Sequence, residues 1–128
     1  MLDVPMIQTR GFKNTPGGFE LRLRLPYYRG LWAGLIEGVT VRVDGEEFAP
    51  DLARWTIGDL HGSLAELAAS DTARWPVDVP AVLALPRDEP LSIGLHDVEA
   101  ELAIQMSYIP EELQPTIWTE QRRLAITR

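Results

Sequence analysis

Two histidines, His61 and His96, are the side chains of this sequence poised to change charge near neutrality. The run Asp59-Leu60-His61 sets a carboxylate and an imidazole on one side of an extended segment, and Asp97 follows His96. A metal hydrolase built on the two histidines needs folding to unite their segments, and a third or fourth ligand that the sequence does not nominate. The plainer expectation is that His61 ends a turn and His96 starts a strand, both partly exposed. Glu46-Glu47, Asp88-Glu89 and Glu111-Glu112 are carboxylate pairs, the residue type of glycosidase acid–base chemistry. Neighbours on a strand point to opposite faces, so no pair is pre-assembled across a substrate, and solvated turns explain them better. The sequence contains no nucleophile elbow, zinc-protease, P-loop or dinucleotide fingerprint. With no cysteine present, thiolate catalysis, disulfides and cysteine-ligated zinc are excluded.

A different chemistry concentrates in Pro26-Tyr27-Tyr28-Arg29-Gly30-Leu31-Trp32. Tyrosine, tryptophan and arginine dominate protein–protein hot spots, because they bury large area while satisfying a polar tip. Aromatics also fill cores, and about half of the large aromatics of the chain are expected to pack between the sheets. If the segment is extended, one of the consecutive tyrosines must face outward. Tyr27, Tyr28, Arg29, Gly30 and Trp32 are therefore open to three readings: the corner of a core, a ligand platform or a partner interface. Trp55, Trp75, Trp118 and Tyr108 are the other large aromatics with a polar tip.

The elements that position these residues are strands. Phe19, Leu21, Leu23 and Leu25 alternate with Glu20, Arg22 and Arg24, a half-buried strand. Ile7 to Lys13 reads as its partner, joined through the turn residues Thr15-Pro16-Gly17-Gly18. Val39, Val41 and Val43 make a second one-sided strand, closed by Asp44-Gly45 into Glu46-Glu47-Phe48. Arg54 to Ile57 is a short strand, and Ser63-Leu64-Ala65-Glu66 fits a helix capping box, with Leu64, Leu67 and Ala68 as its apolar side. Four prolines between 76 and 90 leave room for one brief strand, Ala81 to Leu85. Leu95 to Ile109 is the longest strand predicted, with Val98, Ala100, Leu102, Ile104, Met106 and Tyr108 on one face. Asp97, Glu99 and Glu101 share the other face, and Arg22, Arg24 and Arg42 offer a basic stripe to pair with them. Ile117 to Thr127 makes the last strand. The sum is an all-β domain over residues 1–128, an antiparallel two-sheet sandwich of jelly-roll type with one short helix.

The 128 residues suffice for one core, and the net charge of −7 opposes nucleic-acid binding. No apolar run reaches the roughly 18 residues of a membrane span, and the N-terminus lacks the pattern of a secretory signal. With no cysteine, a reducing cytoplasmic location is expected.

Several segments together resemble a known family. Gly18 to Arg24, Pro26-Tyr27-Tyr28-Arg29-Gly30, Val41-Arg42-Val43-Asp44-Gly45-Glu46, and His96-Asp97-Val98 running into Ser107-Tyr108-Ile109-Pro110 are similar to the small β subunit of bacterial C-glycoside deglycosidases. The likeness runs in order from Phe12 to the last strand and is weakest over Trp55 to Pro90. It implies a heteromeric enzyme whose α subunit looks like a sugar-phosphate-isomerase barrel. That subunit carries a divalent metal, typically manganese, and the catalytic side chains; no cofactor is expected in this chain. The implied substrates are 3-oxo-C-glycosides of aromatic aglycones such as flavonoids, supplied by a separate oxidoreductase. A C–C glycosidic bond has no leaving oxygen to protonate, but a 3-ketone acidifies the C2 proton, so that a base and a metal can form an enolate. This chain would then be a noncatalytic sandwich on the barrel, stabilising it and shaping the mouth of its active site. The alternative is a stand-alone carbohydrate- or ligand-binding sandwich, with Trp32 or Trp118 stacking on sugar rings.

Overall fold

Alternation of apolar and polar residues is realised as three antiparallel sheets with one short helix. The computed structural model describes residues 5–27, 29–70, 72–106 and 109–127. In chain order come β1 (Lys13–Thr15), β2 (Gly18–Leu23), β3 (Leu31–Trp32), β4 (Ile36–Val43) and β5 (Glu46–Phe48). Then follow β6 (Arg54–Ile57), β7 (Leu60–Ser63), α1 (Leu64–Ala68), β8 (Arg74–Trp75), β9 (Ala81–Pro86), β10 (Gly94–Ile104) and β11 (Thr116–Ile126). The five-stranded sheet has the order β1-β2-β9-β6-β7, and the four-stranded sheet the order β11-β10-β4-β5. The third sheet is the pair β3-β8, which sequence patterning did not anticipate because two-residue strands carry no periodicity.

The turn chemistry acts as its residue types dictate. Asp44 and Gly45 both take positive φ, 51° and 87°, the combination that a two-residue hairpin between β4 and β5 requires. Ser63 caps α1 by accepting from the Glu66 amide, and Glu66 accepts from the Ser63 amide. Leu67 is buried beneath that helix, whereas Ala68 stays exposed. Gly18 lies so close to β9 that a Cβ there would stand 2.0 Å from the Leu85 carbonyl oxygen.

The buried faces of both large sheets contribute to one apolar core. Phe19 of β2 meets Phe48 of β5 edge to face, with centroids 5.1 Å apart and planes at 75°. Trp55 and Trp75 are fully buried and also T-shaped, at 5.6 Å and 78°. The predicted strand Ile7 to Lys13 is broken. Residues 6–8 pair with the end of β2, through Gln8 N–H to Arg22 O at 3.0 Å and Arg24 N–H to Met6 O at 2.7 Å. Pairing resumes only at Lys13, beyond Gly11 with its φ of +83°.

The segment around Met6 and Ile7 also ties the two large sheets together. Glu120 of β11 accepts the amide protons of Met6 and Ile7, at 2.9 and 2.8 Å, and Arg122 donates to the Ile7 carbonyl at 2.9 Å. The long strand ends at Ile104, short of the predicted Ile109, because the Gln105 amide turns away to the Leu35 carbonyl at 2.8 Å. Met106 still reaches the core, while Tyr108 lies outside the described residues.

Candidate subunit interface

The connection leaving β2 passes Pro26 and Tyr27 and enters β3, where the short pairing sets Leu31 opposite Trp75 and Trp32 opposite Arg74. Alternation then divides the cluster. Leu31 is buried, Tyr27 packs half-buried against the core, and Trp32 is 46% exposed. Gly30 is required by close approach: a Cβ there would lie 3.0 Å from the Trp75 carbonyl oxygen and 3.2 Å from the Pro76 Cα. Tyr28, the remaining predicted interface residue, lies outside the described residues.

Arg74 is a member of this site that sequence reasoning missed. Its guanidinium carbon stands 4.5 Å from the centroid of the Trp32 ring, a cation–π contact, and its Nη2 donates to the Gly30 carbonyl at 3.3 Å. No local pattern near Arg74 signals this, since the partner ring lies 42 residues upstream, across a pairing of two residues. Trp75 anchors the base by donating its indole N–H to the Val79 carbonyl at 2.9 Å.

A cleft of about 300 Å³ opens beside this corner, walled by Tyr27, Arg29, Trp32, Leu35, Arg74 and Met106. Gln105 completes its rim and donates to a Glu37 carboxylate oxygen at 2.7 Å. The loop after β10 is held beside the cleft by Gln114. That side chain accepts the Met106 amide proton at 3.1 Å and donates to the carbonyls of Met106 and Ile109. Two more apolar side chains flank this loop: Leu113 within it, 65% exposed, and Ile117 at the start of β11, 56% exposed.

The other candidate residues do not converge. His61 stands on β7 of the five-stranded sheet, its Nδ1 3.3 Å from the Thr56 hydroxyl. His96 stands on β10 of the other sheet and is 5% exposed, which corrects the expectation of a partly exposed ring. Its Nδ1 is 2.6 Å from Asp44 Oδ2, and its Nε2 is 2.7 Å from the Ser92 carbonyl. The partner is thus Asp44, 52 residues away, and not the adjacent Asp97. The bond to the Ser92 carbonyl raises the His96 pKa, with help from Asp44 and against the effect of burial. The bond from His96 lowers the pKa of Asp44, aided by the Asp97 amide. Among the described residues no group of three or more His, Asp or Glu side chains is gathered to hold a metal ion.

The acidic stripe on β10 is paired across strands, by Arg42 as expected and by Arg123 in place of Arg22 and Arg24. Arg42 on β4 meets Glu99 at 2.5 Å, Glu47 at 3.1 Å and Glu101 at 3.7 Å, and Arg123 on β11 meets Asp97 at 3.2 Å. Arg22 and Arg24 do not serve that stripe, because β2 belongs to the other sheet. The carboxylate pairs fall on separate surface features: Glu46 meets Arg87 at 3.2 Å, Glu47 meets Arg42, and Glu111-Glu112 lie in an exposed helical turn.

Comparison with known proteins agrees with the segment likeness. Residues 2–108 match the family model of the C-glycoside deglycosidase beta subunit. A C-glycoside deglycosidase beta subunit of Eubacterium cellulosolvens is 30% identical over 119 residues, covering 88% of this chain and 81% of the relative. A 3'-dehydrocarminate deglycosidase beta subunit of Microbacterium sp is 34% identical over 111 residues, covering 85% and 83%. A C-glycoside deglycosidase beta subunit of Arthrobacter globiformis is 33% identical over 97 residues, covering 73% and 71%. The class so defined is that of a small β-sheet subunit of an enzyme complex. The chain belongs to the C-glycoside deglycosidase β-subunit family, and its role is that of the β subunit in such a complex.

Proposed function

We propose that this chain is the noncatalytic subunit that binds a sugar-isomerase-like α subunit, stabilises it and shapes the mouth of its active site. The α subunit then cleaves the C–C glycosidic bond of 3-oxo-C-glycosides. The observation that carries the docking surface is Trp32, nearly half exposed on a scaffold held rigid by Trp75, Arg74 and Gly30. An aromatic left in water on a fixed base is the make-up of an interface anchor, and Tyr27, Arg29 and Gly30 surround it. Tyr28 belongs to the same proposed surface by sequence.

The reading assigns the divalent metal, manganese by family resemblance, to the α subunit, since His61 and His96 are held apart on different sheets. It takes the two large sheets as a jelly-roll-like sandwich in one domain, with β3-β8 as a small flap at the docking end; the shared core and the Phe19–Phe48 contact support this. A cytoplasmic complex is part of the same reading; among the described residues no helix is long and apolar enough to cross a membrane.

Co-expression of the tagged chain with a candidate α subunit tests the proposal. Co-purification with stoichiometric α subunit, and activity higher than that of the α subunit alone, are expected. An α subunit that fails to bind and is fully active alone would overturn it.

A further inference from the structure

The cleft beside Trp32 has a chemistry of its own. The protein as a whole carries a net charge of −7, yet among the described residues the cleft wall holds two guanidinium groups, Arg29 and Arg74, and no carboxylate, with Glu37 bound by Gln105 at the rim. The rest of its lining mixes the aromatic or apolar Tyr27, Leu31, Trp32, Leu35 and Met106 with Gly30 and the side-chain amide of Gln105. At about 300 Å³ the space stands at the lower end of ligand pockets and matches one substituted aromatic ring. Arg74 is held at the cleft from two sides: its guanidinium carbon lies 4.5 Å from the centroid of the Trp32 ring, and the Gly30 carbonyl accepts one of its N–H bonds. A guanidinium has five donors in a rigid fork that fits a carboxylate edge to edge, so others remain to face the cleft.

We propose that this cleft binds a planar aromatic anion, with Arg74 receiving its carboxylate or phenolate and the walls of Trp32, Leu35 and Met106 receiving the ring. The inference deepens the docking proposal and rests on it for its biological role: over the mouth of an α-subunit active site, the cleft would hold the aglycone end of the substrate. Arg74 is then a specificity-determining residue for charged aglycones.

The test needs the full chain only. 4-Hydroxybenzoate and its neutral counterpart 4-hydroxybenzamide are titrated separately, following the indole N–H signal of Trp32 by NMR. The benzoate is expected to bind at least about tenfold more tightly than the amide, with weakening at high salt. Arg74→Gln is expected to reduce benzoate affinity to that of the amide, and Arg74→Lys to leave an intermediate preference, because it keeps charge but not the fork. Should Arg74→Gln lose its fold, Arg74→Lys decides the question: a reduced preference for benzoate supports the proposal, and a preference equal to wild type overturns it. Equal binding of the two probes, or shifts confined to residues away from Trp32, overturns the proposal. So does absence of benzoate binding combined with loss of the α subunit from Arg74→Gln, which would mean that an acidic side chain of the partner fills the cleft. Benzoate binding in a chain that captures no α subunit would sink the docking proposal and leave this one standing.

Discussion

Both ring nitrogens of His96 face oxygen acceptors, Asp44 on one side and the Ser92 carbonyl on the other, so both must carry protons for the two bonds to form together. Below its raised pKa the buried ring is an imidazolium paired with a carboxylate, and it meets Phe12 at a T-shaped 70° with centroids 6.2 Å apart. Arg87, itself paired with Glu46, opposes the positive ring, and the Asp97 amide supports Asp44. The signs follow from the directions of the shifts. His96 is raised above 6.5, so its contribution is complete below that value and is lost as pH rises through the folded pKa. Asp44 is lowered below 3.8, so its contribution is complete above that value and is lost as pH falls through the folded pKa. Thermal stability is expected to peak between these limits and decline on both sides. Asp44→Asn retains a residue tolerant of positive φ and an oxygen for the Asp97 amide, while removing the charge. With half of the Asp44 side chain in water, it should cost only about 1–2 kcal/mol near pH 6 and flatten the alkaline decline. Equal melting profiles for variant and wild type from pH 5 to 8 would show that the pair contributes nothing. Sequence alone placed a carboxylate beside each histidine but could not find this pair, because the Asp44-Gly45 turn and β10 meet only in the folded sheet.

Strands of five residues or more were legible because each buries one face: β2, β4, β9, β10 and β11 all show the period of two that marks them. The short β3 and β8 were not legible, since their positions are set by the packing of Trp75 and Gly30. The N-terminal strap was half legible: its apolar residues were visible, but its tie to β11 depends on Glu120, an acid on the inner face of an edge strand. A charge in that position discourages pairing with other chains and here also finds two amide donors. Glu120→Ala leaves the Met6 and Ile7 amides without their acceptor and is expected to destabilise the fold by about 2–3 kcal/mol. Limited proteolysis should then cut before residue 10 sooner than in the wild type; unchanged cleavage with unchanged unfolding midpoint would show that the strap is held by Met6 and Ile7 packing alone. Gly18→Ala tests the β2–β9 contact differently. Its Cβ would fall on the Leu85 carbonyl, so the strands must part, at an expected cost of about 2–3 kcal/mol by chemical denaturation.

On the scale of the whole molecule, the core and the docking end make separate demands on the same short run of residues. Leu31 and Tyr27 serve the core, whereas Trp32 and Arg29 face the cleft. The cluster was visible in sequence, and its division was not, because it follows from the pairing of Leu31 with Trp75 and of Trp32 with Arg74. That division makes the assembly proposal testable without disturbing the fold. Truncating a hot-spot tryptophan costs about 2–4 kcal/mol of binding, or roughly 30- to 1,000-fold in affinity. Trp32→Ala is therefore expected to weaken capture of the α subunit by that factor while shifting the melting temperature of the isolated chain little, since the side chain buries only half of its surface. Arg29→Ala should weaken capture less, and its effect should shrink as salt rises, if its charge steers association. Leu31→Ala provides the contrast: with its side chain in the core, it should unfold the chain more readily and lose the partner only through that instability. If Trp32→Ala unfolds the chain as Leu31→Ala does, the tryptophan belongs to the core. If Trp32→Ala is stable and binds the α subunit as tightly as wild type, the interface lies elsewhere on the molecule, and the exposed Leu113 and Ile117 next to the loop after β10 become the first residues to truncate.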